Sequence, residues 1–174
     1  MNKKPLIIKA NRVELHSIAE RNSEEMIGII TDKEVALTYM LPKFNSRDEA
    51  YTLFKRFMQL STLEDRFVYG IFLDATLIGF INDVCIKDNS VELGCVISPQ
   101  YKGNGYATEV VSASIVALFE MGFNTVIAGA FESNIASIRV MEKSGMTKCD
   151  YTETVDYNGE TFKCIMYNIK KQPE

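Results

Sequence analysis

The sequence predicts a three-layer α+β fold, with a mixed, mostly antiparallel central sheet and helices on both faces, in a single domain over residues 1–174. Three observations predict it. Residues 66–73, 77–86 and 91–97 are rich in β-branched and aromatic side chains and are separated by the turn signals Asp74-Ala75 and Lys87-Asp88-Asn89-Ser90, which reads as an antiparallel meander. A helical pattern over residues 107–121 stands between the third of these strands and another at 125–131, the order of a strand-helix-strand crossover. A closing hairpin turns at Tyr157-Asn158-Gly159-Glu160, where Asn-Gly is a strong type I′ signal.

The other elements follow from periodicity and caps. Val13, Leu15 and Ser17 alternate with Glu14 and His16, so the chain opens on a half-buried strand. Asn22 and Ser23 then offer N-caps for a helix carrying Met26, Ile29 and Ile30. Asp32 can cap a second short helix reaching Met40. Ser46 with Glu49 makes a capping-box pattern ahead of Tyr51, Phe54, Phe57 and Met58, an amphipathic third helix. Within residues 107–121, Val111, Ile115 and Leu118 form one stripe and Val110, Ser114, Ala117 and Met121 the next, so this helix should be largely buried. A final helix over residues 135–144 ends at Gly145.

Composition narrows the function. With 174 residues, 47% hydrophobic and 24% charged, and no linker-like stretch, one core is the default. A net charge of -4 and no Lys/Arg cluster longer than a pair argue against nucleic acid as a partner. Lys3 and Lys4 are followed by no apolar stretch of signal-peptide length, and no run approaches the roughly 20 apolar residues of a membrane span. The protein is thus expected in the cytoplasm, with no membrane partner. Cys85, Cys95, Cys149 and Cys164 lack C-x-x-C spacing and read as buried thiols in a reducing compartment. His16 is the sole histidine, which removes Ser-His and Cys-His nucleophile pairs and any His cluster for zinc, so no metal is expected. A homodimer is left open.

The informative stretch is residues 91–109, where a strand runs into a glycine-bearing loop and directly into the buried helix. Such a junction binds anions: the first helical turn has unpaired N–H groups, the macrodipole adds roughly half a positive charge, and glycines admit a phosphate close to the backbone. Gly103 and Gly105 supply that room, and a diphosphate is the natural ligand. An isolated G-x-G is also an ordinary tight turn. The loop is no P-loop, because no Gly-Lys-Ser/Thr follows, and Thr108 stands where a dinucleotide fingerprint needs its third glycine.

Gln100, Gly103 and Gly105 fit, in order, the Q/R-x-x-G-x-G/A pyrophosphate loop of the GNAT N-acetyltransferases, a family this sequence resembles. Asn134, Ser137, Glu142, Lys143 and Gly145 are similarly in register with that family's second signature, an Asn-x-x-Ala/Ser helix ending Glu-Lys-x-Gly-Phe. The likeness is strongest over residues 91–146 and is nearest to the branch that includes ribosomal-protein alanine/serine N-acetyltransferases. It implies a sheet splayed between the strand ending at Ile97 and the strand starting at Thr125, with the pantetheine arm of acetyl-coenzyme A lying between them. Gly94 and Gly129, inside strand patterns, suit a close backbone approach or simply accommodate bulky neighbours. The implied coenzyme-binding residues are Val96, Ile97, Gln100, Tyr101, Lys102, Gly103, Asn104, Gly105, Tyr106, Ala107, Thr108, Asn134 and Ser137.

Amine attack on a thioester needs a neutral amine, a stabilised oxyanion and a leaving thiolate. Glu92 is the first candidate base, since the family often places a carboxylate on this strand; its alternation with Val91 and Leu93 equally fits a solvent-facing residue. Asp83 is the weaker substitute. The resemblance implies that a backbone N–H near Val96 or Ile97 meets the oxyanion. Met141 stands where many relatives carry the tyrosine that protonates the leaving sulfur, which leaves Ser137 or water for that step. A thiol of pKa about 8.5 is a fair leaving group unaided. The expected partner is a primary amine, ranked first as a peptide or protein N-terminus, whose α-amine deprotonates near pH 8. A small-amine acceptor, a silent acyl-coenzyme A sensor and a nucleotide-binding protein are the alternatives.

Overall fold

The computed structural model describes residues 3–172. The chain opens on a hairpin, β1 (Ile7–Lys9) against β2 (Glu14–His16), rather than on one strand. In β1 only Ile8 is buried, and a single buried position carries no readable period. Helix α1 (Ser23–Ile30) follows, but Asn22 does not cap it with its side chain. Its Oδ1 accepts the N–H of Ala19 at 3.0 Å and closes a preceding 3-10 turn, Glu20–Asn22.

Helix α2 (Lys33–Ala36) is capped by Asp32, which accepts from the N–H groups of Glu34 and Val35. It stops at Ala36, short of the expected Met40, where a distant tyrosine engages its last carbonyl, Ala36 O. The Tyr157 hydroxyl lies 3.0 Å from Ala36 O and 3.2 Å from Leu41 O, and accepts from Leu41 N at 3.3 Å. Helix α3 (Arg47–Thr62) has Ser46 accepting from Glu49 N, while the Glu49 carboxylate reaches back to Asn45 N at 2.8 Å, one residue earlier than a standard box.

The meander is β3 (Val68–Leu73), β4 (Thr76–Lys87) and β5 (Ser90–Ile97). Helix α4 (Tyr106–Met121) crosses to β6 (Thr125–Phe131), and α5 (Ile135–Lys143) leads to the hairpin β7 (Thr147–Tyr157) and β8 (Glu160–Lys170). At its turn Asn158 and Gly159 both take positive φ, 55° and 84°, as a type I′ turn requires. The eight strands run β1-β2-β3-β4-β5-β6-β8-β7, so the hairpin joins through its second strand and leaves β7 at an edge. Only β5 and β6 pair in parallel.

Two apolar layers hold the sheet. On one face Met26, Ile30, Phe54 and neighbours from the first three helices pack on Phe72, Phe80 and Val96. On the other, Val110, Ile115, Leu118 and Met141 of α4 and α5 pack on Ile81, Leu93, Ile97 and Ile165. The buried cysteine pattern holds only in part. Cys164 is buried and Cys95 and Cys149 are partly so, but Cys85 is exposed because the end of β4 runs past the core after a bulge between Asp83 and Cys85.

Two glycines should respond oppositely to alanine. A Cβ on Gly79 would lie 2.1 Å from Val96 O and 3.2 Å from Ile97 Cα, atoms of the neighbouring backbone that cannot rotate away. A Cβ on exposed Gly28, inside α1, meets nothing within 4 Å. Gly79→Ala should cost about 2–3 kcal/mol, and Gly28→Ala should gain about 0.5–1 kcal/mol. Equilibrium urea unfolding measures both.

Candidate active site

Strands β5 and β6 are paired from Ser90–Thr125 to Leu93–Ala128, and then part while each continues for several residues. Backbone groups beyond that point have no partner across the gap, and an unpaired N–H or C=O seeks a ligand or water. The ladder to β4 decides which groups these are. Ser98 N donates to Ile78 O at 2.8 Å. Backbone direction alternates along a strand, so Val96, opposite Phe80, also faces β4, whereas Cys95 and Ile97 point into the gap. Of the two amides expected from sequence, Val96 and Ile97, the second is the free one.

A cavity of about 490 Å³ passes through this opening. On the α4–α5 side its wall is Ala107, Val111, Val140 and Met141, and on the other it is Thr38, Tyr39, Asn82 and Glu92. Asn134 and Ser137 line it as well. Glu92 therefore faces a cavity and not an open outer surface, and burial, aided by the Glu153 carboxylate, raises it above the ordinary carboxyl range. Asp83 also lines the cavity, but its Oδ2 is engaged by Arg66 Nε at 2.7 Å.

Asn134 caps α5: its Oδ1 accepts from Ser137 N at 3.2 Å and its Nδ2 donates to Ser137 Oγ at 2.9 Å. Ser137 thus accepts from Asn134 and keeps its own hydroxyl hydrogen for something else. Met141, 4% exposed, presents a thioether where a tyrosine was expected, so the hydroxyls lining the cavity are those of Thr38, Tyr39 and Ser137.

The glycine loop immediately precedes α4, next to the cavity-lining Ala107. Gln100 and Tyr101 sit in a 3-10 turn, Pro99–Tyr101, and Lys102, Gly103, Asn104 and Gly105 are exposed ahead of the helix. Gly103 and Gly105 have φ of 79° and 84°, a region that disfavours side chains. No side chain caps α4, so the first-turn amides of Tyr106, Ala107 and Thr108 stay open.

Sequence reasoning missed Arg12, Tyr39, Asn82 and Glu153. Arg12 bonds Glu109 through Nε at 2.6 Å and through its backbone N–H at 3.0 Å, donates to Asn104 O at 2.6 Å, and covers the Tyr106 ring at 4.6 Å. It also neutralises an acid that would oppose anion binding in the first turn. Tyr39 lies over Gly94, where a Cβ would stand 2.8 Å from its ring, and donates to Asn82 Oδ1 at 2.7 Å. Burial pushes its phenol up to about 12. Residues 12 and 109, or 39 and 94, share no period or motif, so only the folded topology relates them.

A sheet that parts beside an uncapped helix start, with a carboxylate on the wall of the opening, suits a coenzyme-dependent acyltransferase. A family profile described as an acetyltransferase (GNAT) domain matches residues 12–147, and the chain belongs to this family of N-acetyltransferases. It is 28% identical over 174 residues to the uncharacterised N-acetyltransferase YoaA of Bacillus subtilis, covering 97% of this chain and 98% of that one. Its fold matches RimL, a ribosomal L7/L12 α-N-protein acetyltransferase solved in complex with coenzyme A, with a TM-score of 0.81 at 17% identity over 94% and 97% of the two chains. It also matches the microcin C7 self-immunity acetyltransferase MccE, solved with acetyl-coenzyme A and AMP, with a TM-score of 0.80 at 15% identity over 92% and 93%. Among the described residues, no helix is long and apolar enough to cross a membrane, and no group of three or more His, Cys, Asp or Glu could hold a metal ion.

Arg12→Ala should free residues 102–109 at little cost to the whole fold. We expect a loss of about 1 kcal/mol, modest because the pair is partly exposed, with faster amide hydrogen exchange confined to the loop and the first turn of α4. Arg12→Lys should not restore protection, since an ammonium cannot make the forked contact.

Proposed function

We propose that the chain acts as one acetyltransferase domain that moves an acetyl group from acetyl-coenzyme A directly to a primary amine, with Glu92 as base. The observation that carries this reading is the cavity through the β5–β6 gap, which has Glu92 on its wall and the uncapped start of α4 at one end. The site is suited to the diphosphate at Gly103, Gly105 and the first-turn amides. The pantetheine arm then lies along the free edges of β5 and β6 as a surrogate strand, with its thioester near the Ile97 amide. Asn134 and Ser137 stand on the wall beside it.

Each residue's chemistry follows. The Ile97 N–H stabilises the oxyanion that forms as the amine attacks. Glu92, with its raised proton affinity, takes the proton from the ammonium or amine directly or through water. The Ser137 hydroxyl, in place of the tyrosine that Met141 replaces, hydrogen-bonds the departing sulfur, which leaves as a thiolate and takes its proton from water. An acetylated cysteine intermediate is disfavoured, because burial pushes the Cys95 thiol, also on the cavity wall, up to about 12 and leaves no thiolate at neutral pH. For the acceptor, a peptide or protein N-terminal amine ranks first, because an α-amine loses its proton more readily than a lysine.

Glu92→Gln tests the role. It should lower kcat/KM by about 10²-fold and flatten the acidic limb of the pH profile. Stability should move the other way. A raised carboxyl pKa means that the fold prefers the neutral form, so wild-type stability falls as pH rises through that pKa, and the neutral variant should be as stable as wild type or more so at pH 7. A variant with unchanged turnover and pH profile would remove Glu92 from the mechanism. Mass spectrometry of amines and peptides incubated with acetyl-coenzyme A, with or without a blocked α-amine, tests the transfer and its ranking.

A further inference from the structure

Glu153 is the charged residue of the cavity that acetyl transfer leaves without a task. It lies on β7 opposite Cys164, near the mouth, and is exposed. Among the described residues it has no ion-pair partner, and neither has Glu92. No Lys, Arg or His lines the cavity to offset either carboxylate. Asp83, 4% exposed, also reaches the wall, but its charge is paired with Arg66 through Oδ2, and the field there is that of the two glutamates; its Oδ1 is buried with no hydrogen-bond partner. An uncompensated negative field of this kind in a concave, partly desolvated site favours cationic ligands.

The ladder fixes how Glu92 and Glu153 are related. Residues paired across adjacent strands present their side chains on one face. Glu92 pairs Ile127, Gly129 pairs Met166, Phe131 pairs Cys164, and Cys164 pairs Glu153, so both glutamates rise from the same face of the sheet. The Glu92 carboxylate already leans over β6, with Oε1 3.9 Å from the point a Gly129 Cβ would occupy. The backbone of Glu153 lies two strand spacings from that point and two residues along β8, a span of about 12 Å. The floor between them is Cys164, Met166 and Phe131, which offers no polar partner except the cysteine sulfur.

Resting on the acetyltransferase reading above, we propose that Glu153 is a specificity residue that binds a second cationic group of the acceptor. The substrate class is then a primary amine whose reacting nitrogen, at Glu92, is joined by a short, largely apolar chain to another ammonium or guanidinium. An aliphatic diamine carries this chemistry, and so does a peptide N-terminus followed closely by a basic side chain. The apolar floor suits the connecting chain, and the open mouth at Glu153 lets the second cation keep part of its hydration.

Matched acceptors read this directly. Wild-type kcat/KM should be about 10-fold higher for 1,4-diaminobutane than for 1-aminobutane, or for a Ser-Lys peptide than for a Ser-Ala one, and the ratio should shrink in 0.5 M salt. The pair with the larger ratio identifies the source, small molecule or peptide. Glu153→Gln should bring the ratios to within about 2-fold, mainly through KM. Glu153→Lys should reverse them in favour of 4-aminobutanoate or a Ser-Glu peptide, a gain that damage to the fold cannot mimic. Equal use of singly and doubly charged acceptors by wild type, or ratios unaffected in both variants, would overturn the role of Glu153 while leaving acetyl transfer standing. If wild type acetylates no amine at all, the transfer reading fails and this inference fails with it.

Discussion

Everything distinctive about this sheet depends on one place where backbone hydrogen bonding stops. Strands β5 and β6 are held in parallel for four residue pairs and then released, although both continue as strands and both are packed by helices. A folded chain rarely leaves strand edges unpaired in its interior, because each buried polar group without a partner costs about 1–3 kcal/mol. Helices α4 and α5 pack on both strands on one side, whereas on the other side the first three helices reach β5 alone, at Val96. The gap becomes a passage through the sheet, and the acyl donor and the amine can meet there from opposite faces.

The two ends of that passage are built by different physics. At the donor end the design is backbone: open amides of a helix start, two glycines in the left-handed region, and a guanidinium that holds the loop and cancels Glu109. At the acceptor end it is side-chain charge: Glu92 and Glu153 facing a cavity with no cation on its wall, under a tyrosine that burial keeps protonated. On the proposed reading, this field would draw a polyanionic donor and a cationic acceptor to opposite ends of the passage.

Legibility in the sequence followed the same division. The meander, the crossover helix, β6 and the closing hairpin are local patterns, and each was readable from period, cap or turn residues. So was the loop, because its glycines and the helix they precede are contiguous. Opaque were β1, with one buried residue, and the end of α2, whose last carbonyl is engaged by a tyrosine 121 residues away. Arg12 and Tyr39 were opaque for that reason too: their partners Glu109 and Gly94 are neighbours in space alone. That Glu92 faces a cavity and not open solvent required knowing that the sheet opens beside it, which alternation within its own strand cannot reveal.

The Tyr157 hydroxyl carries one more implication. It joins the turn end of the β7–β8 hairpin to the segment after α2, the same segment that sets Tyr39 over Gly94. The two pieces of chain that wall the acceptor side, far apart in sequence, therefore stand as one unit fastened at a single oxygen. A descendant of this gene that acquired a new acceptor would have to alter the two segments in concert, since a change in one alone would shift Tyr39 or break the fastening. The proposed donor half is contiguous backbone apart from Arg12, which braces it from the turn of the first hairpin, and it could remain fixed while acceptors diversified.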